Sequence, residues 1–238
     1  MPRLLVINPN TTQSITELAA RHVRATVGGD FELVSATGRF GCEYITSEAC
    51  YAIAGHAALE CFAEHGAGCD AVLLACFGDP GLFALREVST APVVGLAEAS
   101  MQAAAERGGR FSIVTGGERW KPMLERFAVV LGYRERLASV RTLALTGGQI
   151  AENPDAALAT LASACAAAAD EDGADEVILG GAGLAGLAER IQPRVWVPVL
   201  DSVVVGAQRA AMMCRTPRAA ASAGVSEGFA KLRQTPGR

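Results

Sequence analysis

Cys76 is the residue of this chain best placed to do acid–base chemistry. It follows the apolar residues 71–75 and precedes Phe77, Gly78 and Asp79, so we predict that it lies where a strand ends and a helix begins. Free backbone N–H groups at such a turn lower a thiol pKa from about 8.5 toward neutrality, which favours a thiolate base or nucleophile. The alternative is a buried structural cysteine, the role we expect for the other six.

The surroundings of Cys76 occur twice. GCDAVLLACFGDPGL (residues 68–82) aligns without gaps on GADEVILGGAGLAGL (173–187), and APVVG (91–95) has a counterpart in VPVLD (197–201). A repeated strand and turn predicts two similar lobes whose turns face each other across a cleft. Cys76 is then on one wall, and Gly181 takes the corresponding place on the other.

Two more polar turns follow predicted strands. INPNTT supplies Asn8, Asn10, Thr11 and Thr12, which could contact a ligand or cap a helix. VTGG supplies Thr115 and Gly116, which could form half of an oxyanion site or a plain glycine turn.

Three further polar or amphipathic residues, Glu43, Tyr44 and Asp79, are predicted to lie in solvated loops near the cleft. Asp201 ends a strand and could orient backbone or ligand.

Gly181, Gly183 and Gly186 also spell G-x-G-x-x-G after a strand, the pattern of a dinucleotide-binding turn. The segment after it is short and contains Pro193, and only 37 residues follow Asp201. Since Gly183 and Gly186 recur as Gly78 and Gly81 in the first copy, we assign them to the geometry of the repeated turn and not to a dinucleotide-binding site.

Composition limits the class of protein. Half of the 238 residues are hydrophobic, 19% are charged and the net charge is −4, which predicts a globular chain that binds neither nucleic acid nor an anionic membrane. The apolar run that precedes Asn8 is too short for a signal peptide or a membrane span, which predicts a cytoplasmic location. The seven cysteines are an odd number, so we expect reduced thiols. No Cys-x-x-Cys or His-x-x-x-His spacing occurs, and we predict no metal.

Short apolar runs alternate with alanine-rich segments of helical period, which is typical of α/β folds with parallel sheets. We predict strands at 4–8, 31–36, 71–76, 92–96, 111–115, 140–145, 176–180 and 197–201. Helices are expected notably at 47–65, 98–107, 118–131, 154–172 and 216–232. Asn153 should cap the fourth of these, with Pro154 at its first position.

The economical arrangement is two pseudo-twofold lobes, each a four-stranded parallel sheet flanked by helices. Residues 1–97 with 206–238 would form the first lobe and 98–205 the second, with the active site between them. Ligands of parallel α/β sheets bind beyond the carboxyl ends of the strands, where the four special turns map.

Five motifs together resemble the Asp/Glu/hydantoin racemase superfamily, most closely its hydantoin and allantoin racemase branch. They are INPNTT (7–12), ACFGDPGL (75–82), VTGG (114–117), LGGAGL (179–184) and VPVLD (197–201). The resemblance implies an isomerase with two α/β lobes, a small-molecule substrate, no cofactor and a homo-oligomeric assembly.

It also implies two cysteines on opposite faces of the substrate, one removing the proton α to a carbonyl and the other returning a proton. The first corresponds to Cys76, whereas the second position is Gly181. The implied substrate contacts are Asn8, Thr11, Phe77, Gly78, Thr115, Gly116 and Ala182.

The glycine leaves several functions open. Water could replace the missing acid in a slow racemase, or one thiol could suffice for a decarboxylase of the arylmalonate type. The chain could also bind its ligand without turnover, or the glycine could be an introduced substitution.

Overall fold

The computed structural model describes residues 1–214, which form two four-stranded parallel sheets flanked by helices. The first sheet has the order β2-β1-β3-β4, and the second has the order β6-β5-β7-β8. The strands are β1 Arg3–Asn8, β2 Glu32–Thr37, β3 Ala71–Leu74, β4 Val93–Gly95, β5 Phe111–Gly116, β6 Leu137–Leu143, β7 Glu176–Gly180 and β8 Val199–Asp201. The predicted α/β fold with two four-stranded parallel sheets is confirmed.

The helices of the described residues cover the sheets. They are α1 Gln13–Val27, α2 Glu48–His65, α3 Leu82–Val88, α4 Leu96–Glu106, α5 Trp120–Val130, α6 Gly147–Glu152, α7 Pro154–Asp170, α8 Leu187–Ile191 and α9 Ser202–Met213. We call the first sheet with α1, α2 and α3 the first lobe, and the second sheet with α5, α6, α7 and α8 the second lobe. The helix expected at 216–232 lies outside the described residues.

Burial explains why the sequence predicted the strands. Both β3 and β7 are buried along their whole length, as expected for inner strands of a parallel sheet covered on both faces. The largest error concerns β6, which begins at Leu137, three residues before the predicted start. Its buried residues are separated by pairs of partly exposed ones, so the strand lacks a continuous apolar run. Asn153 caps α7 as predicted, accepting a hydrogen bond from the Ala156 N–H.

The sequence repeat is a repeat of structure. Gly81 and Gly186 precede α3 and α8 in the same left-handed conformation, with φ of +84° and +82°. A side chain would be strained in that conformation. The equivalent residues Asp70 and Asp175 also accept equivalent hydrogen bonds. The N–H of Arg3 donates to Asp70 Oδ2 over 2.8 Å, and the N–H of Arg110 donates to Asp175 Oδ2 over 2.7 Å.

The helices that follow the last strand of each sheet hold the lobes together. Helices α4 and α9 pack on each other, and each contacts strands of both sheets. A Cβ atom at Gly206 would lie 2.6 Å from Leu96 Cδ2, so the absence of a side chain there permits the close approach. Within residues 1–214, none of the helices is long and apolar enough to cross a membrane.

A buried or half-buried carboxylate caps each of these two helices, but it comes from a different place in each lobe. Asp79, in the turn after β3, accepts hydrogen bonds from the N–H groups of Ala97 and Glu98 in α4. Asp201, at the end of β8, caps α9 instead and also reaches back to the turn at Gly186. Each carboxylate therefore ties a turn to the neighbouring helix.

Replacement of Asp201 tests this role. Asp201→Ala removes the acceptor for the N–H groups of Val203, Val204 and Gly186. We expect the free energy of unfolding to fall by about 0.5–2 kcal/mol, the usual range for loss of an N-cap. Urea denaturation followed by circular dichroism measures it, with Asp30→Ala, at an exposed position, as the control. Equal stabilities of the two variants would contradict the capping role.

Candidate active site

A cleft lies at the carboxyl ends of both sheets, where the sequence predicted it. Its cavity volume is about 70 Å³, and it is open to solvent. Each of the four predicted turns contributes to its wall, through Asn10, Cys76, Thr115 and Gly181. The other lining residues are Ile15, Tyr44, Ile45, Thr46, Ala75, Phe77, Gly116, Trp120, Thr146, Gly147, Gly148, Ala182, Gly183 and Leu184.

Cys76 is on the wall of this cleft with 9% of its surface exposed, and its sulfur is not in a disulfide. Burial raises the pKa of the Cys76 thiol well above its ordinary value, and the nearby Asp79 carboxylate raises it further. The expected shift toward neutrality was therefore wrong. Helix α3 begins only at Leu82, so the thiol is several residues from the helix N-terminus that should have stabilised its charged form.

Asp79 is 1% exposed, so its prediction as a solvated loop residue was also wrong. Its carboxylate accepts from the N–H groups of Ala97 (2.9 Å) and Glu98 (2.8 Å). Burial raises the pKa of Asp79 to about 7, and these two hydrogen bonds limit the rise. A side chain at Gly95 would overlap the carboxylate, so the glycine that ends β4 makes room for it.

The opposite wall, at Gly181, presents a different chemistry. The Gly181 N–H donates to Ser202 Oγ over 3.1 Å, and the Thr115 hydroxyl donates to the Gly180 carbonyl over 2.7 Å. Gly181 has a φ of +137°, which side chains rarely adopt. Among the described lining residues, Cys76 carries a thiol and Tyr44 a phenol, and none carries a carboxylate. The Gly181 wall thus carries a hydroxyl but no thiol or carboxylate.

Aromatic side chains connect the lobes around Cys76. The Phe77 ring packs against Gly180 of the second lobe, where a Cβ would lie 2.5 Å from Phe77 Cε1. In return, Trp120 at the start of α5 packs over Gly78 of the first lobe. Tyr51 supports this contact, since its hydroxyl donates to the Gly78 carbonyl over 2.8 Å. The two turns are therefore in direct contact.

Three predicted substrate contacts are not on the wall. Asn8 is fully buried, and its amide donates to Asn10 Oδ1 (2.7 Å) and Thr16 Oγ1 (3.0 Å). Thr11 lies to the side, with its N–H donating to the Cys42 carbonyl, and Gly78 lies beneath Trp120. The Asn8 side chain thus organises the turn that presents its neighbour to the cleft.

Asn10 takes the place expected for Asn8. It lines the cleft, and its side-chain oxygen accepts from Asn8 Nδ2 and from the Thr12 N–H. Its amide Nδ2 donates no hydrogen bond to any group within residues 1–214, which leaves it available to a ligand. Phe77, Thr115, Gly116 and Ala182 do lie on the wall, as predicted.

Sequence reasoning missed one segment of the wall and most of another. The first turn of α6 contributes Thr146, Gly147 and Gly148. Thr146 and Gln149 form a capping box, and that Thr-x-x-Gln pattern could have revealed the helix start. The other segment is 44–46, of which the sequence analysis placed only Tyr44 near the cleft, in a solvated loop.

The segment 41–46 is also tied by a bond that the cysteine count did not predict. Cys42 and Cys50 form a disulfide, with their Cα atoms 5.9 Å apart. The expectation of reduced thiols was wrong for this pair. An odd number of cysteines argues against a full disulfide framework, but it does not exclude one local bridge.

Residues 4–210 match the model of the family described as Asp/Glu/Hydantoin racemase. The chain belongs to this family. It is 34% identical over 205 residues to a hydantoin racemase of Pseudomonas sp. (strain NS671), covering 86% of this chain and 82% of the relative. The structure of allantoin racemase from Pseudomonas fluorescens superimposes with a TM-score of 0.86 at 34% identity, over 90% of this chain and 91% of that one.

A variant of arylmalonate decarboxylase shares the fold, with a TM-score of 0.69 at 19% identity over 91% of this chain and 94% of the other. The relatives named as hydantoin and allantoin racemases are isomerases. They confirm the predicted family and the predicted enzyme class, a racemase-type isomerase.

The influence of Asp79 on the thiol can be measured directly. Asp79→Asn removes a negative charge that opposes the thiolate, so we expect the pKa of Cys76 to fall and its alkylation at pH 8–9 to accelerate. Iodoacetamide labelling followed by mass spectrometry of the Cys76 peptide gives the pH profile. Glu87→Gln, which removes an exposed carboxylate of α3, should leave the profile unchanged. An unchanged or raised pKa in Asp79→Asn would refute the assigned influence.

Proposed function

We propose that this protein is a cofactor-independent racemase or epimerase that transfers a proton at a carbon α to a carbonyl, with 5-substituted hydantoins or allantoin as favoured substrates. The observation that carries the proposal is Cys76 on the wall of a cleft formed by both sheets. The names of the hydantoin and allantoin racemase relatives support the substrate class. We retain the division into residues 1–97 with 206–238 and 98–205 as part of this proposal.

The first step requires Cys76 as a thiolate. Its sulfur takes the proton from the α carbon, a new S–H bond forms, and the electron pair of the broken C–H bond moves into an enolate. The amide of Asn10 and the N–H groups of Phe77 and Ala182 are proposed to stabilise the developing negative oxygen. Thr115 and Gly116 complete the binding surface on the second lobe.

The second step must deliver a proton from the Gly181 side. Because that wall has a hydroxyl but no thiol, we propose solvent water as the acid. Water protonates the carbon on the opposite face, and the hydroxide formed removes the proton from the Cys76 thiol, which restores the thiolate. Loss of one acid–base partner typically costs about 10²–10⁴ in rate, so slow but measurable inversion is expected.

Hydrogen exchange tests the first step separately from inversion. In D₂O, deuterium should enter the α carbon of a 5-substituted hydantoin, as followed by proton NMR, and Cys76→Ala should reduce the exchange to the uncatalysed rate. Since the thiol pKa is raised, the thiolate fraction should grow about tenfold per pH unit between pH 6 and 9. The exchange rate should rise in parallel. If deuterium enters the α carbon of neither 5-substituted hydantoins nor allantoin, the proposal is contradicted.

A decarboxylase of the arylmalonate type is the second candidate, and the raised pKa of Cys76 favours it. Such a reaction needs one proton donor, and a thiol that stays protonated serves that role. The two candidates differ in their pH dependence, because the protonated fraction of the thiol stays nearly constant between pH 6 and 9. Level carbon dioxide release from an arylmalonate, lost in Cys76→Ala, would favour the decarboxylase. Tight ligand binding without exchange or release would indicate a binding protein.

Restoring a thiol at Gly181 tests the proposed role of that wall. Gly181→Cys should accelerate racemisation by about 10²–10⁴, measured by polarimetry. A Cβ atom there would lie 3.1 Å from Leu184 Cδ1 in a conformation that strains any side chain. The substitution is therefore also made together with Leu184→Ala.

Gly181→Ser is the matched control, since it imposes the same backbone strain without a thiol. We expect the gain with cysteine alone. Equal racemisation rates for the cysteine and serine variants, with and without Leu184→Ala, would contradict the correspondence of Gly181 to the second acid–base position.

A further inference from the structure

A short segment between β2 and α2 lies at the edge of the cleft and contacts both lobes. Residues 41–46, which we call the strap, place Tyr44, Ile45 and Thr46 on the cleft wall. Ile45 is buried and Tyr44 is half-buried. The strap belongs to the first lobe by sequence, yet its side chains help to enclose the space next to Cys76.

Two hydrogen bonds attach the strap to the turn after β1. The Thr11 N–H donates to the Cys42 carbonyl over 3.2 Å, and the Thr12 hydroxyl donates to the Glu43 carbonyl over 2.6 Å. The Cys42–Cys50 disulfide joins the same segment to the first turn of α2. All three links hold the strap at Cys42 and Glu43, directly before Tyr44.

Tyr44 makes the contact with the second lobe. Its ring rests on the backbone of Gly148 in the first turn of α6, so that a Cβ at Gly148 would overlap three ring atoms. The Tyr44 hydroxyl is 3.4 Å from Glu152 Oε1, which is too long for a strong hydrogen bond. The ring packed on a side-chain-free backbone is therefore the main contact that holds the strap against α6.

We propose that Tyr44 is a specificity-determining gate. Its packing on Gly148 limits the size of molecule that reaches Cys76, and the Cys42–Cys50 disulfide keeps the strap in this closed position. That this molecule is a substrate rests on the proposed function. For hydantoins, the closed strap favours compact substituents over bulky ones.

The disulfide makes the gate dependent on redox state. A dithiol reduces the bond in two exchange steps, which leave two cysteine thiols and an oxidised dithiol, with the electrons and protons supplied by the dithiol. The strap then keeps its two hydrogen bonds to residues 11 and 12 but loses its covalent link to α2. Larger molecules should then reach the cleft more often.

Alkylation of Cys76 measures access without requiring catalysis. The test compares N-ethylmaleimide with a bulky fluorescein maleimide, using mass spectrometry of the Cys76 peptide to obtain each labelling rate. The ratio of the bulky to the small reagent cancels changes in the thiol pKa, because both reagents react with the same thiolate. Cys76→Ser gives the background for the assignment of the labelled peptide.

The chain offers a matched pair of glycines for the gate. Gly148→Ala should displace Tyr44 and raise the ratio about tenfold, as expected if the open state becomes tenfold more populated. Gly29→Ala adds the same methyl group outside the cleft, where it would meet no atom within 4 Å. It should leave the ratio unchanged. Equal ratios in the two variants overturn the gate.

Two further variants separate the ring from its hydroxyl. Tyr44→Ala should raise the ratio as Gly148→Ala does, whereas Tyr44→Phe should retain the wild-type ratio. A raised ratio in Tyr44→Phe would show that the hydroxyl, and not the ring, closes the strap, and would overturn the packing argument. Thermal unfolding by circular dichroism verifies that each variant is folded before labelling.

The disulfide is tested in the full chain by the double variant Cys42→Ser with Cys50→Ser, beside wild type treated with dithiothreitol and then freed of it. Both should show a raised ratio, and a wild-type ratio in the double variant overturns the role of the disulfide. Because labelling needs no turnover, loss of the proposed racemase activity would leave these results intact. If exchange is observed, the open variants should also gain activity toward bulkier 5-substituents relative to compact ones.

Discussion

The buried carboxylate of Asp79 connects the fold of this protein to its chemistry. It caps α4, one of the two helices that join the lobes, and it lies in the same turn as Cys76. The negative charge that stabilises the helix therefore also opposes ionisation of the thiol. In the proposed reaction, a thiol that stays protonated near neutrality is a proton donor, and it becomes a base only as the pH rises.

In each lobe one carboxylate caps the helix that follows the last strand, but the carboxylate comes from a different position of the sequence repeat. In the first lobe, the turn supplies the carboxylate and the strand end at Gly95 makes room for it. In the second lobe, the strand end supplies Asp201, and the corresponding turn position is Leu184, which lines the cleft. This exchange places a charge beside the thiol on one wall and an apolar side chain beside Gly181 on the other. The two walls of the cleft thus differ in charge as well as in having Cys76 on one side and Gly181 on the other.

Contacts between the lobes define how much space the cleft offers. Phe77 packs on Gly180, Trp120 packs on Gly78, and Tyr44 packs on Gly148. In each pair an aromatic ring from one lobe lies on a glycine of the other, which allows closer approach than two side chains would permit. Access to Cys76 therefore depends on the relative position of the lobes and the strap, as well as on the turns themselves.

The sequence by itself determined the α/β class, the doubled four-stranded sheets, the cap at Asn153 and the family, because these depend on apolar runs, a gapless repeat and local turn residues. It also located the cleft at the strand ends. Tertiary structure alone decided that Asn10 rather than Asn8 lines the cleft, that Asp79 is buried, that the Cys76 pKa rises and that Cys42 pairs with Cys50. Those properties depend on desolvation and on which distant groups meet, and local patterns along the chain carry neither.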